Sequence, residues 1–184
     1  MSTVKIRLMT DWKIGGPALP INEASIDSFV RQTSLKKVPE HYYRRRKPIT
    51  KYIDVYLDNR VVATLHPVYS KDDSVDQKAR WEITSSPKWV EKPTDPIELS
   101  EIIKLLNIQI TKALRTKAYW PVIYDKYQGW MVPTAFLDFE LAFGSSDFVD
   151  KWIESRYKGQ NITFKSVQGT LVSPPSEYLP KSRR

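Results

Sequence analysis

The residues best equipped for chemistry stand together at His41-Tyr42-Tyr43-Arg44-Arg45-Arg46-Lys47-Pro48, where four consecutive cations follow two phenol rings and end at a proline. Cations at this density attract phosphates, and neighbouring rings offer surfaces on which nucleobases stack. The same charge suits an acidic membrane surface, which rewards each nearby Lys or Arg by about 1 kcal/mol. The excess is local. From Arg31 to Lys51 there are eight cations against the single acid Glu40, whereas the whole chain holds 29 Lys and Arg against 21 Asp and Glu. Outside this window the chain is close to neutral. If four or five of the cations meet phosphates, log affinity falls against log salt with a slope of about −4. Arg31, Lys36, Lys37, Tyr42, Tyr43, Arg44, Arg45, Arg46 and Lys47 are therefore the candidates for binding nucleic acid or an anionic surface.

Other constellations are sparser. Asp138 and Glu140 stand two apart, on one face of an expected strand, and with Asp54 they supply the carboxylates from which a magnesium-dependent nuclease is built. Alternating acids are also the ordinary wet face of a strand, and no nuclease signature accompanies them, so no catalytic residue and no metal site is assigned. His41 and His66 fall in different expected loops, with no acid or nucleophile at a characteristic spacing. Gly15-Gly16 is too short to cradle a phosphate. The chain has no cysteine, which removes thiolate zinc sites, disulfides and cysteine nucleophiles and fits a reducing compartment. No cofactor is expected. Lys5, Arg7 and Asp11 interrupt the first residues as a signal peptide, and no apolar run reaches the roughly 20 residues of a spanning helix. The expectation is a cytoplasmic, soluble or peripheral protein.

The elements that must position these residues are legible from periodicity. Val4, Ile6 and Leu8 alternate with Lys5 and Arg7 as a strand, and Ile26, Phe29 and Val30 fall at helical spacing behind the cap Asn22. The basic window leads into a hairpin, residues 52–57 and 61–65 around Asp58-Asn59-Arg60, followed by a polar loop at 70–78 and a strand at 80–84. Asp95-Pro96-Ile97-Glu98 reads as a helix start, with a helix running to Arg115 and burying Leu99, Ile102, Ile103, Leu106, Ile110 and Leu114, widened by Leu105 and Ile108. A second hairpin spans Trp120 to Val132, and Thr134 to Phe143 alternates as a strand. Ser145 or Ser146 caps a short helix carrying Phe148, Val149, Trp152 and Ile153, and Ile162 to Val172 is the last strand. Of the six tryptophans, Trp12 and Trp89 lie beside turn residues and are the two that could present rings to a partner. The fold class is α+β: one domain over 1–172 with a basic loop at 31–51, a twisted, mostly antiparallel sheet packed by one long helix and two shorter ones. Residues 173–184, with Pro174, Pro175, Pro180 and three terminal cations, are expected as a flexible tail.

The order of elements from Thr3 to Leu65 resembles the start of a rhabdovirus matrix protein core of the short, plant-infecting type. Thr3-Val4-Lys5-Ile6-Arg7-Leu8 opens as a strand, a loop with prolines and a short helix through Phe29 follow, and a basic segment precedes a hydrophobic strand. A Pro-Pro-x-Tyr release motif is present only in the altered form Pro174-Pro175-Ser176-Glu177-Tyr178. The resemblance implies a self-associating structural protein, associated with the virion, that bridges nucleoprotein and an anionic membrane. Taken together, the residues lead to a non-enzymatic basic binding or assembly protein. The alternatives are a nucleic-acid accessory protein of a phage, plasmid or defence system and a metal-dependent nuclease.

Overall fold

The alternation at the start of the chain does make a strand, β1 (Val4–Thr10), with Ile6 and Leu8 buried and Lys5 exposed. The structure is a computed structural model that describes residues 3–10, 16–34, 51–58, 60–69, 78–133 and 144–179. By their contacts these residues divide into two compact units, the first built on residues up to Asn107 and the second mainly on Ile108 onward, with Pro87–Trp89 joining the second.

The first unit is a five-stranded antiparallel sheet in the order β2-β1-β3-β4-β5, where β2 is Leu19–Pro20, β3 Lys51–Leu57, β4 Arg60–Val68 and β5 Arg80–Ser85. Period-two alternation sorts its side chains: Ile6, Leu8, Ile53, Val55, Leu65 and Ile83 are buried and belong to one face. Helix α1 (Glu23–Thr33) begins where Asn22 was expected to cap it. Asn22 Oδ1 accepts from Ser25 N at 2.9 Å and Ser25 Oγ accepts from Asn22 N at 3.2 Å, a reciprocal cap of the kind that contributes about 1 kcal/mol. The β3–β4 hairpin turns at Asp58, whose φ of 55° is the left-handed conformation that a short polar side chain tolerates.

Two expectations change at α2 (Leu99–Arg115). The helix starts at Leu99 rather than at Pro96, because Ile97 is extended and exchanges backbone hydrogen bonds with Trp81, 2.7 and 3.0 Å, satisfying the outer edge of β5. Glu98 then supplies the carbonyl that opens the helix, accepting from Glu101 N and Ile102 N. Ile108, assigned above to the apolar face, is 68% exposed. It stands two residues from both buried Leu106 and buried Ile110, about 200° around the helix from each.

The second unit contains a three-stranded antiparallel sheet in the order β7-β6-β8, with β6 Lys117–Asp125, β7 Gly129–Met131 and β8 Phe164–Thr170, and α3 (Ser146–Arg156). The α+β class and the antiparallel pairing stand as expected, with the strands shared between two sheets. Trp120, Val122 and Val132 form a buried cluster against which Trp130, Trp152, Val167 and Tyr178 pack. Asp125 Oδ1 accepts from Tyr127 N and Gln128 N at 2.8 and 2.9 Å, closing the β6–β7 turn that Gly129 completes at φ 75°. In α3, Val149 and Ile153 are buried as expected, whereas Phe148 is exposed under the ammonium of Lys151.

The segment after β8 also differs from expectation. Ser173 to Leu179 is packed: Ser173 O accepts from Thr170 N at 3.0 Å, Pro174 is buried, and Ser176–Tyr178 form a 3-10 turn. Tyr178 O accepts from Val132 N at 2.8 Å while its ring lies on the Trp120 cluster. An aromatic side chain and a receptive β-strand backbone supply what proline-rich composition alone does not register. Residues 180–184, and the expected strand Thr134 to Phe143 with Asp138 and Glu140, lie outside the described residues.

Candidate nucleic-acid interface

Of the candidate binding residues, Arg31 is described: it is exposed in the last turn of α1. Lys36, Lys37, Tyr42, Tyr43, Arg44, Arg45, Arg46 and Lys47, together with His41 and Trp12, lie outside the described residues. What the structure supplies is their frame. The chain leaves α1 at Ser34 and re-enters the sheet at Lys51, so the fixed points of the basic window are the end of a helix and the start of a central strand.

Those two points are tied together. The last carbonyls of a helix have no partner within it and attract donors and positive charge. Lys51 Nζ donates to Gln32 O at 2.8 Å, and the Tyr69 hydroxyl, just past β4, donates to Thr33 O at 2.6 Å. Burial pushes the Tyr69 phenol up, which holds it in the donating form. Ser34 closes the helix from within, its N–H and its hydroxyl both donating to Val30 O. Register places Lys51 opposite Thr10 and Val68 opposite Arg80, so the cations Lys51 and Arg80 occupy one end of the sheet.

The polar face of the same sheet carries a second grouping, which the sequence reading did not single out. Tyr52, Asp54 and Tyr56 alternate with the buried Ile53, Val55 and Leu57 and so share the face away from them. Tyr52 is stacked on His66, centroids 5.1 Å apart and planes 12° from parallel, and His66 Nδ1 shares a 2.7 Å hydrogen bond with the Thr84 hydroxyl. His66 therefore belongs to β4, not to a loop, because the strand continues through Pro67 and Val68 to pair with β5. Arg7, opposite Asp54 in register, holds its guanidinium 5.2 Å from the centre of the Tyr56 ring. Asp54 lies between these two pairs. Burial raises its carboxyl above the ordinary value, against the weaker opposing effects of the Thr64 hydroxyl donating at 2.8 Å and of His66 and Arg7 nearby.

Asp54 is thus engaged within its sheet, and among the described residues no three His, Asp or Glu side chains gather as metal ligands. No described helix is long and apolar enough to cross a membrane. Trp89, a candidate for presenting its ring, is half-buried, while Trp81 and Trp120 are fully buried. In the second unit Lys165 extends over two rings, 4.5 Å from the centre of Trp130 and 5.1 Å from that of Tyr178. Compared with known proteins, the chain matches no family model, no curated protein and no solved structure.

Proposed function

We propose that this is a non-enzymatic binding and assembly protein that engages a polyanion, nucleic acid or nucleoprotein, through the basic window from Arg31 to Lys51. The observation that carries the reading is the concentration of eight cations against one acid in this window. Its support in the fold is the joint made by Lys51 and Tyr69 on the end of α1, which fixes where the window starts and returns. Binding residues are usually carried next to a rigid scaffold, and the described ends of the window are Arg31 on α1 and Lys51 on a central strand.

The reading is tested by fluorescence anisotropy of labelled nucleic acid over a salt series. A slope of log affinity against log salt near −4 is expected, with roughly a hundredfold loss between about 50 and 200 mM. A slope near zero contradicts it. The matrix-type form of the proposal, supported by the order of β1, α1, the basic window and β3, adds self-association and affinity for an anionic membrane. Flotation with acidic liposomes and sedimentation at rising concentration test it. A chain that stays monomeric and ignores such liposomes removes that form and leaves the nucleic-acid accessory protein.

A further inference from the structure

We propose that the polar face of the five-stranded sheet is a stacking platform for the bases of a single-stranded nucleic acid. The inference rests on the polyanion reading and narrows its partner. Three features of the face point to bases as well as phosphates.

The first is the placement of rings. Tyr52 and Tyr56 are four residues apart on β3 and on the same face, which separates them by about 13 Å along the strand. Each is paired with a flat group on a neighbouring strand: Tyr52 with the imidazole of His66, Tyr56 with the guanidinium of Arg7. The four side chains are half-buried, so their bodies are held by the sheet while part of each remains open to solvent. Rings ordered in this way lose little freedom when a base lies on them, and every base has a face to offer.

The second is charge. Lys5, exposed, is the cross-strand partner of Tyr56, and Arg7 is next to it on the face, so one ring station carries two cations. At the other station Lys51 precedes Tyr52 and by alternation belongs to the opposite face, where Gln32 O engages its ammonium, while exposed Arg80, opposite Val68, shares the face of His66. Among the described strand residues the acids of the face are Asp54, buried and bonded to Thr64, and Glu82, exposed opposite His66 on β5, with Asp58 exposed in the turn two residues past Tyr56. Glu82 stands at the β5 margin beside Arg80 on the same face, and the cations closest to the path, Lys5 and Arg7, lie at its Tyr56 end.

The third is polarity between the stations. The Thr64 and Asp54 side chains form the rung that separates the two ring pairs, giving hydrogen-bonding groups where the edge of a stacked base would reach. An acidic lipid surface has phosphates but no flat face to stack, and a duplex hides its bases from such a platform. The chemistry of the face therefore favours a single strand.

The test uses the full chain and single-stranded RNA and DNA probes of about twelve nucleotides, with the corresponding duplex, read by anisotropy. Tyr52→Leu/Tyr56→Leu is expected to weaken single-strand binding at least about tenfold, to leave duplex binding unchanged and to preserve the salt slope. Tyr52→Phe/Tyr56→Phe, which keeps both rings, is expected to bind as the wild type does. Because the Leu pair could disturb the sheet, photo-crosslinking of a thiouridine-containing probe to the wild-type chain gives an independent readout, with adducts expected at Tyr52, His66 or Tyr56. RNA against DNA of one sequence shows which strand the platform prefers. Unchanged single-strand affinity in the Leu pair, or adducts absent from β3 and β4, overturns the platform. Loss of binding on changing Arg44, Arg45, Arg46 and Lys47 to Ser alongside that result leaves the basic-window reading standing. A wild-type chain that floats with acidic vesicles but retains no single strand overturns the platform in favour of a membrane partner.

Discussion

Lys51 Nζ and Gln32 O, nineteen residues apart in sequence, are joined by a 2.8 Å hydrogen bond that ties the start of a central strand to the end of a helix. Tyr69 makes the same tie one carbonyl further on, through its hydroxyl to Thr33 O. The described ends of the charged window, the last turn of α1 and the first residue of β3, are thereby joined.

Tyr69→Phe removes the donor and leaves Thr33 O with one partner fewer. Stability should fall by about 1 kcal/mol, read as a lower urea midpoint at unchanged m-value. A midpoint equal to wild type would mean that the hydroxyl does not hold the end of α1.

Asp54 gives a pH dependence whose sign follows from its burial. Its carboxyl is raised above the ordinary value, so the native state holds the proton more tightly than the unfolded chain. Its contribution is therefore most favourable at low pH and declines as pH rises from the unfolded value through the raised native one. Asp54→Asn keeps an acceptor for Thr64 and carries no charge. Urea midpoints of wild type and variant should converge in acid and separate in favour of the variant as pH rises, and parallel curves would contradict the assignment.

Gly169 in β8 reports on the packed C-terminal segment. A methyl group there would lie 2.7 Å from Ser173 O and 3.0 Å from Pro174 Cα, both backbone atoms. Gly169→Ala should destabilise by about 1–3 kcal/mol. Deleting residues 174–184 removes the Tyr178 ring and the acceptor of Val132 N, and should lower the melting temperature by at least about 4 °C. An unchanged melt would show that Ser173 to Leu179 contributes nothing to the second unit.

How much of this was legible in the sequence depended on whether local signals acted alone. Alternation in β1 and β3, the Asn22 cap and the Asp58 and Gly129 turns are decided within a few residues, and the structure has each where the pattern put it. The start of α2 was misplaced because Ile97 is claimed by Trp81, a partner sixteen residues away that no capping rule contains. Ser173 to Leu179 was misread for the same reason, since its order comes from Val132 and the Trp120 cluster. Of the candidate site, the charge was plain in the composition. The ring pairs Tyr52–His66 and Arg7–Tyr56 were not, because each joins two strands whose register is set only by folding. The alternation of Tyr52, Asp54 and Tyr56 against Ile53, Val55 and Leu57 was the signal that could have exposed half of that face.

The central claim, that the window from Arg31 to Lys51 binds a polyanion, is tested most directly by the salt dependence of nucleic-acid affinity in the wild-type chain and in the variant with Arg44, Arg45, Arg46 and Lys47 all changed to Ser. The account predicts affinity weaker by about tenfold or more and a slope flattened by about 3 to 4. Wild-type affinity with an unchanged slope in that variant would contradict it.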